Sequence, residues 1–172
     1  MTYEFTYTLD SLFEDLQRAT QREAITIPQL PKEEGYITQD VQPVIAVMEP
    51  KDKDHIEYHL NTAVATIWEY IAAWVDDEGL AVPTLPKENE GDPDVRGIYI
   101  RFKENEVTGN RVILVTNGLQ ELIKHVLLAD WYSIYAHRPD IGQRHMHLSV
   151  AVGENLRSNL IKNNASRPYR FY

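Results

Sequence analysis

The stretch KDKDHIEYHLNTAVATIWEYIAAWVDDEG, residues 51–79, decides the fold because it carries the clearest helical pattern in the chain. Its apolar side chains recur every three or four residues, which places them on one face of an α-helix: Ile56, Leu60, Ala63, Val64, Ile67, Ile71 and Trp74. Gly79 is a natural stop for this helix. We expect it to be the longest and most buried helix of a small bundle.

Three further helices are expected around it. The first spans about residues 9–24 and has Asp10 or Ser11 as its N-cap, and its apolar stripe consists of Leu12, Phe13, Leu16 and Ala19. The third helix runs from about Asn117 to Ala136, with its stripe at Leu119, Leu122, Ile123, Val126, Leu127, Trp131 and Ile134. The fourth runs from Asp140 to about Lys162, with its stripe at Ile141, Leu148, Val152, Leu156 and Leu160. The short connection predicts that the last two helices are antiparallel neighbours.

Irregular and β-prone segments separate these helices. Residues 24–51 hold four prolines and predict an extended arm, and residues 79–97 predict an acidic loop. IYIRFKE alternates apolar and polar residues, and RVILV at 111–115 is a second β-prone run, so a β-hairpin is expected over 98–115. A lone hairpin is marginal in water, so it must pack on the helices or join the strands of a neighbour. Its polar side chains, Tyr99, Arg101 and Lys103, are therefore candidate contact residues.

The chain is expected to form a single domain over residues 1–172. The predicted class is mainly α, a bundle of about four helices with one β-hairpin inserted between the second and third helices, plus extended arms. The absence of cysteine removes thiol catalysis and thiolate metal sites. No run of 18 apolar residues exists, so the sequence predicts no membrane-spanning segment and no membrane partner.

Charge is unevenly distributed along the chain. The formal net charge is −9, yet residues 1–100 hold 20 acidic and 7 basic side chains whereas residues 101–172 hold 6 acidic and 10 basic ones. Two oppositely charged faces would steer identical subunits into head-to-tail contact. Mixing of the two signs over one folded surface is the alternative. Asp76, Asp77 and Glu78 lie at the C-terminal end of the second helix, where they oppose its dipole, so a basic neighbour is expected there.

Candidate chemistry is sparse. His55 and His59 are four residues apart on the second helix, and His145 and His147 form another local pair, but HIEYH is not a zinc motif and a third ligand is missing. We therefore expect no metal and no cofactor. Asp130 lies within the apolar stripe of the third helix, where a carboxylate must be paired. Arg144 or Arg157 of the next helix is the expected partner.

The C-terminal tail, residues 164–172, ends in SRPYRFY and is expected to be extended because Pro168 disfavours helix before it. Rigid aromatics and arginine dominate the energetics of protein interfaces, and an acidic first half would suit the arginines. The tail is therefore predicted to dock on another protein chain through Arg167, Pro168, Tyr169, Arg170, Phe171 and Tyr172. The net negative charge argues against a broad nucleic-acid interface.

The stretch NGLQELIKHVLLADWYSIYAHRPDIGQRHMHLSVAVGENLRSNLIKNNASRPYRFY, and more loosely the acidic second helix, resembles the small head-to-tail connector (adaptor or head-completion) proteins of tailed bacteriophages, in the versions found in phages and prophages of Bacteroidetes. The resemblance covers roughly the last two thirds of the chain. It implies a virion subunit without enzymatic activity, made in the host bacterial cytoplasm, that forms a ring, often of twelve copies, between portal and tail proteins. Residues 24–51 and the first helix are not accounted for by it.

Two other classes stay open from the residues alone. One is a soluble protein-binding or regulatory module acting as a monomer or dimer, and the other is an enzyme with a His or Asp site. Oligomeric state separates the ring subunit from the binding module. No sequence-specific nucleic-acid partner is expected in either case.

Overall fold

A computed structural model describes residues 2–26, 46–76, 82–84 and 96–161 of the chain. In chain order its elements are β1 (Glu4–Thr8), α1 (Leu9–Thr26), α2 (Lys53–Ile71), β2 (Val82–Thr84), β3 (Arg96–Arg101), α3 (Arg111–Ile134) and α4 (Pro139–Ile161). Short 3-10 turns at Pro50–Asp52 and Ala72–Trp74 flank α2. The predicted class is confirmed, since the protein is mainly helical with four helices and a small antiparallel β element.

The β element differs from the predicted hairpin in its partners. The strands lie in the order β1-β3-β2, and both pairings are antiparallel, with Phe5 opposite Ile100 and Tyr7 opposite Ile98. The strand β1 was missed, although Phe5 and Tyr7 are buried while Glu4 and Thr6 are exposed, which is the alternation of a strand with one covered face.

The second strand of the predicted 98–115 hairpin is wrong because residues 111–115 are the first turns of α3. A turn at Gly109, with φ +59°, precedes them. Val115 then continues into Leu119 and Leu122 at helical spacing, and all three are buried. Burial on one helix face therefore overrides the strand preference of the β-branched residues in RVILV. The third helix accordingly begins at Arg111, six residues before the predicted start at Asn117.

The predicted arm and acidic loop are shorter than expected within the described residues. The helix α1 continues to Thr26, and Met48 at the other end of the arm is buried against α1, where its amide donates to Thr20 Oγ1 at 3.1 Å. The acidic loop predicted over 79–97 contains β2 and the first residues of β3. Residues 27–45, 77–81, 85–95 and the predicted tail lie outside the described residues.

The helix ends also differ from the predicted caps. Thr8 precedes α1 and its Oγ1 accepts a hydrogen bond from the Ser11 amide at 3.3 Å, so it takes the capping role predicted for Asp10 or Ser11. Pro139 opens α4, which suits a residue with no amide to donate. The side chain of Asp140 pairs with Arg138, with Nη2 and Oδ2 2.8 Å apart.

The core is built on α2 and α3. The predicted face of α2 is confirmed, because Ile56, Leu60, Ala63, Ile67 and Ile71 are buried. The prediction that α2 is the longest and most buried helix is wrong, since α2 has 19 residues with five buried and α3 has 24 residues with ten buried. By length and composition α3 could also cross a membrane, but much of its apolar surface is already buried in the fold.

The helices α3 and α4 are antiparallel and closely packed. A Cβ on Gly142 would lie 2.9 Å from the Ala129 carbonyl oxygen, and a Cβ on Gly118 would lie 3.1 Å from Leu156 Cδ1. The expected stripe of α4 is partly wrong, because Leu148 is exposed and the buried residues of α4 are Ile141, Gly142, His145, Ser149, Gly153, Leu156 and Leu160. The glycines at the α3–α4 contact permit the close approach.

Replacing Ile67 with Ala is expected to lower the free energy of unfolding by about 2 to 5 kcal/mol, because it leaves a cavity in a fully buried site. Glu69→Ala, at an exposed position of the same helix, is the matched control and should change it by less than about 0.5 kcal/mol. Urea titrations of both variants measure the difference. A loss at Ile67 no larger than at Glu69 would place the core on the wrong face of α2.

Candidate functional site

The predicted contact residues fall into two groups. Arg167, Pro168, Tyr169, Arg170, Phe171 and Tyr172 lie outside the described residues, so their role stays a prediction. Tyr99, Arg101 and Lys103 lie on β3 or just after it. Tyr99 is half-buried and hydrogen-bonded to Glu4. Its pKa is raised, first by burial and then by this hydrogen bond.

Arg101 and Lys103 make contacts within the subunit. Arg101 Nε lies 3.5 Å from Asp76 Oδ2, and Lys103 Nζ donates to the Ala73 carbonyl oxygen at 3.0 Å. These contacts place positive charge at the C-terminal end of α2, where it complements the helix dipole. The predicted basic neighbour is thus confirmed for Asp76. The two side chains fasten the end of α2 to the sheet, and a contact with another subunit would have to use their remaining donors.

A first histidine cluster lies between α2 and α3. His59 Nδ1 is 3.4 Å from Asp130 Oδ2, and the ring of His55 packs between those of His59 and Tyr135. The predicted pairing of Asp130 with Arg144 or Arg157 is therefore wrong, because Asp130 points towards α2. Burial, and then the neighbouring His59, lower the pKa of His55 to about 4.

A second histidine cluster joins α1, α3 and α4, and the sequence analysis missed it. His145 is 2 % exposed, its Nε2 lies 2.9 Å from Glu23 Oε1, and its Nδ1 lies 2.9 Å from His125 Nδ1. Tyr132 stacks on the His145 ring with an interplanar angle of 3°. The predicted local pairing of His145 with His147 does not form a cluster, since His147 is exposed. The sequence signal for this burial is the four-residue spacing that puts His145 on the same face of α4 as Ile141 and Ser149.

The electrostatics of this cluster favour a charged Glu23 beside a neutral His125. Burial alone would raise the pKa of Glu23, but the neighbouring His145 and Tyr132 side chains lower it overall. Burial, and then the closeness of His145, lower the pKa of His125. Because both Nδ1 atoms of the histidine pair face each other, one must donate and the other accept. A hydrogen bond between these two nitrogens therefore requires that at least one of the two rings is neutral.

Neither cluster has the geometry of a metal centre. Among residues 2–26, 46–76 and 96–161, no group of three or more His, Asp or Glu side chains is arranged to hold a metal ion. The pairs His59–Asp130 and Glu23–His145 could each orient an imidazole for proton transfer. Their placement between helices also gives a structural role, in which a paired carboxylate satisfies a half-buried or buried histidine.

An apolar surface lies on the outside of the α3–α4 pair. Eight of the eleven large apolar side chains that are exposed in the described residues belong to this pair and its connection: Ile113, Leu114, Ile134, Tyr135, Met146, Leu148, Val150 and Ile161. Met146 and Val150 are one turn apart on α4 and are 57 % and 49 % exposed. Met146, Val150 and Ile161 project from the same side of α4, and we call these three residues the outer apolar face. Concentrated exposed apolar residues are typical of protein interaction surfaces.

No protein-family model, no curated protein and no solved structure matches this chain.

Lowering the pH from about 7 to about 4.5 is expected to lower the free energy of unfolding, because the pKa of His55 falls from 6.5 to about 4 on folding. As the pH falls below 6.5, His55 becomes protonated in the unfolded chain while it stays neutral in the folded protein. Protonation therefore stabilises the unfolded chain, and the free energy of unfolding falls. The pKa of His125 is also lowered on folding, so its protonation in the unfolded chain lowers the free energy of unfolding in the same way. Glu23, whose pKa is lowered from 4.5, adds a loss at still lower pH.

Urea titrations across this pH range measure the effect. His55→Gln should make the dependence shallower between about pH 6.5 and 4, whereas His147→Gln, at an exposed position, should follow the wild-type curve. Parallel curves for His55→Gln and wild type would show that His55 is not held neutral by the fold.

Proposed function

We propose that this chain is a non-enzymatic structural subunit that assembles with copies of itself. The observation that carries the proposal is the outer apolar face, because large apolar side chains left exposed along one side of a helix give a surface suited to a protein partner. Such a surface on a closed helical bundle favours contact with protein over contact with a small molecule, which binds in concave sites.

The charges of the described residues support head-to-tail assembly. Residues 2–26 and 46–76 carry 11 acidic and 4 basic side chains, whereas residues 96–161 carry 6 acidic and 8 basic ones. Arg96 and Arg101 pair with Glu57 and Asp76 across this division, so the proposed contrast lies between the acidic surface of α1 and α2 and the nearly neutral surface of α3 and α4. Unlike surfaces that meet head to tail form a ring when the repeated rotation closes.

The finer form of the proposal is a connector subunit of a tailed bacteriophage, forming a ring of possibly twelve copies between portal and tail proteins in the virion. It rests on the resemblance of residues 117–172 to such connectors and is compatible with four helices and a small sheet. In this form the tail of residues 164–172 serves as an arm between subunits. A monomeric or dimeric protein-binding module is the competing function, and the same outer apolar face would then receive a different protein.

Val150→Glu is expected to weaken self-association, because it places a charge in the outer apolar face without touching the core. Ser158→Glu introduces the same charge at an exposed position of α4 and is the matched control. Sedimentation velocity over a concentration series should show association for wild type and Ser158→Glu, and a shift of at least about tenfold towards higher concentration for Val150→Glu. Equal association of all three proteins would remove the outer apolar face from the interface.

A further inference from the structure

A groove on the outer side of α2 offers a site for a basic, aromatic segment. It has a volume of about 770 Å³ and is open to solvent, with Asp54, Glu57 and Tyr58 on α2 and Arg96 at the start of β3 among its lining residues. Tyr58 is 80 % exposed, an unusual position for a tyrosine that lies next to an apolar helix face. An exposed aromatic ring beside carboxylates can receive both arginine and aromatic side chains.

The groove keeps negative charge that the described residues do not neutralise. Glu57 pairs with Arg96 at one wall. The two lysines nearest the start of α2 are engaged elsewhere, because Lys51 pairs with Glu49 and Lys53 pairs with Asp10. Asp54 is exposed and has no ion pair within the described part of the chain. A cationic side chain would therefore find an available carboxylate beside Tyr58.

We propose that this groove receives residues 167–172 of a second copy of the chain. This inference rests on the proposed self-assembly and names the surface that the tail uses. The segment RPYRFY carries two arginines, Arg167 and Arg170, which can pair with the Asp54 carboxylate. It also carries three aromatic rings, which can pack against the ring of Tyr58. The tail follows α4 in sequence and belongs to the half of the chain in which basic side chains outnumber acidic ones.

Reach decides between the chain's own tail and the tail of a neighbour. The ring of His55 contacts Tyr135 near the start of α4, and Tyr70 lies against Gly153, so α2 and α4 run in the same direction. The groove lies near the start of this pair and Ile161 lies at its far end, and the rise of an α-helix puts about 30 Å between them.

Arg167 is six residues beyond Ile161, and six extended residues span at most about 20 Å. The tail therefore cannot place the whole of residues 167–172 in the groove of its own subunit, because only Arg170 and the residues after it come within reach. A tail arriving from a neighbouring copy has no such restriction. Each subunit would then give its tail to one neighbour and receive a tail from another, which is a head-to-tail contact.

The test uses a fluorescein-labelled peptide of residues 162–172 and the full chain carrying Arg167→Glu and Arg170→Glu, so that the protein's own tail does not compete. Fluorescence anisotropy should show saturable binding that weakens as salt is raised. Adding Asp54→Lys or Tyr58→Ala to the protein should weaken peptide binding by about tenfold each, because the first reverses the free charge and the second removes the ring. Glu69→Lys, the same charge change at another exposed position of α2, should leave binding unchanged.

Failure of this inference is distinct from failure of self-assembly. No peptide binding, or equal binding by the Asp54→Lys and Glu69→Lys proteins, overturns the groove as the tail site even if the wild-type chain forms oligomers. Peptide binding at the groove by a wild-type chain that stays monomeric at every concentration would keep the groove as the peptide site but contradict both the assembly and a second copy as the donor of the tail. In the full chain with its native tail, Asp54→Lys should lower self-association in sedimentation velocity and Glu69→Lys should not.

Discussion

The close contact between α3 and α4 is the constraint on which the rest of the structure depends. It requires small residues where the helices approach, and Gly142 on α4 and Gly118 on α3 supply them. Once α4 covers one side of α3, the remaining apolar side chains of α3 must be covered by α1, α2 and the sheet. The strand β3 then lies between β1 and β2 and holds the end of α2 through Arg101 and Lys103.

The same contact explains why a histidine is buried in this fold. With small residues around it, the α4 face leaves room for His145, which is satisfied by Glu23 from α1 and His125 from α3. A buried polar group must find partners, and here each partner comes from a different helix. The cluster therefore fixes the relative positions of α1, α3 and α4 in a way that apolar contacts alone would not.

The helices were predictable from sequence because periodic burial leaves a direct trace, as on α2, where the residues from Ile56 to Ile71 at three- and four-residue spacing are the buried ones. The strand β1 and the start of α3 were not, because short runs such as EFTYT and RVILV suit either structure and only tertiary contact decides. The partners of Asp130 and His145 could not be predicted from sequence either, since they depend on how the neighbouring helices are rotated about their axes. For the candidate site, sequence identified the acidic and basic halves, while the outer apolar face and the groove required the packed structure.

The proposed function assigns the two histidine clusters to the stability of the subunit and the exposed surfaces to contacts with other protein chains. The two histidine clusters lie between helices, whereas the outer apolar face and the groove beside Tyr58 face outwards. The most direct test of the proposed self-assembly is native mass spectrometry of the full-length chain, whose subunit mass is 19.9 kDa. The account predicts one closed assembly with a fixed whole-number multiple of that mass, and twelve copies in its connector form. A single species at the subunit mass at every concentration would contradict it.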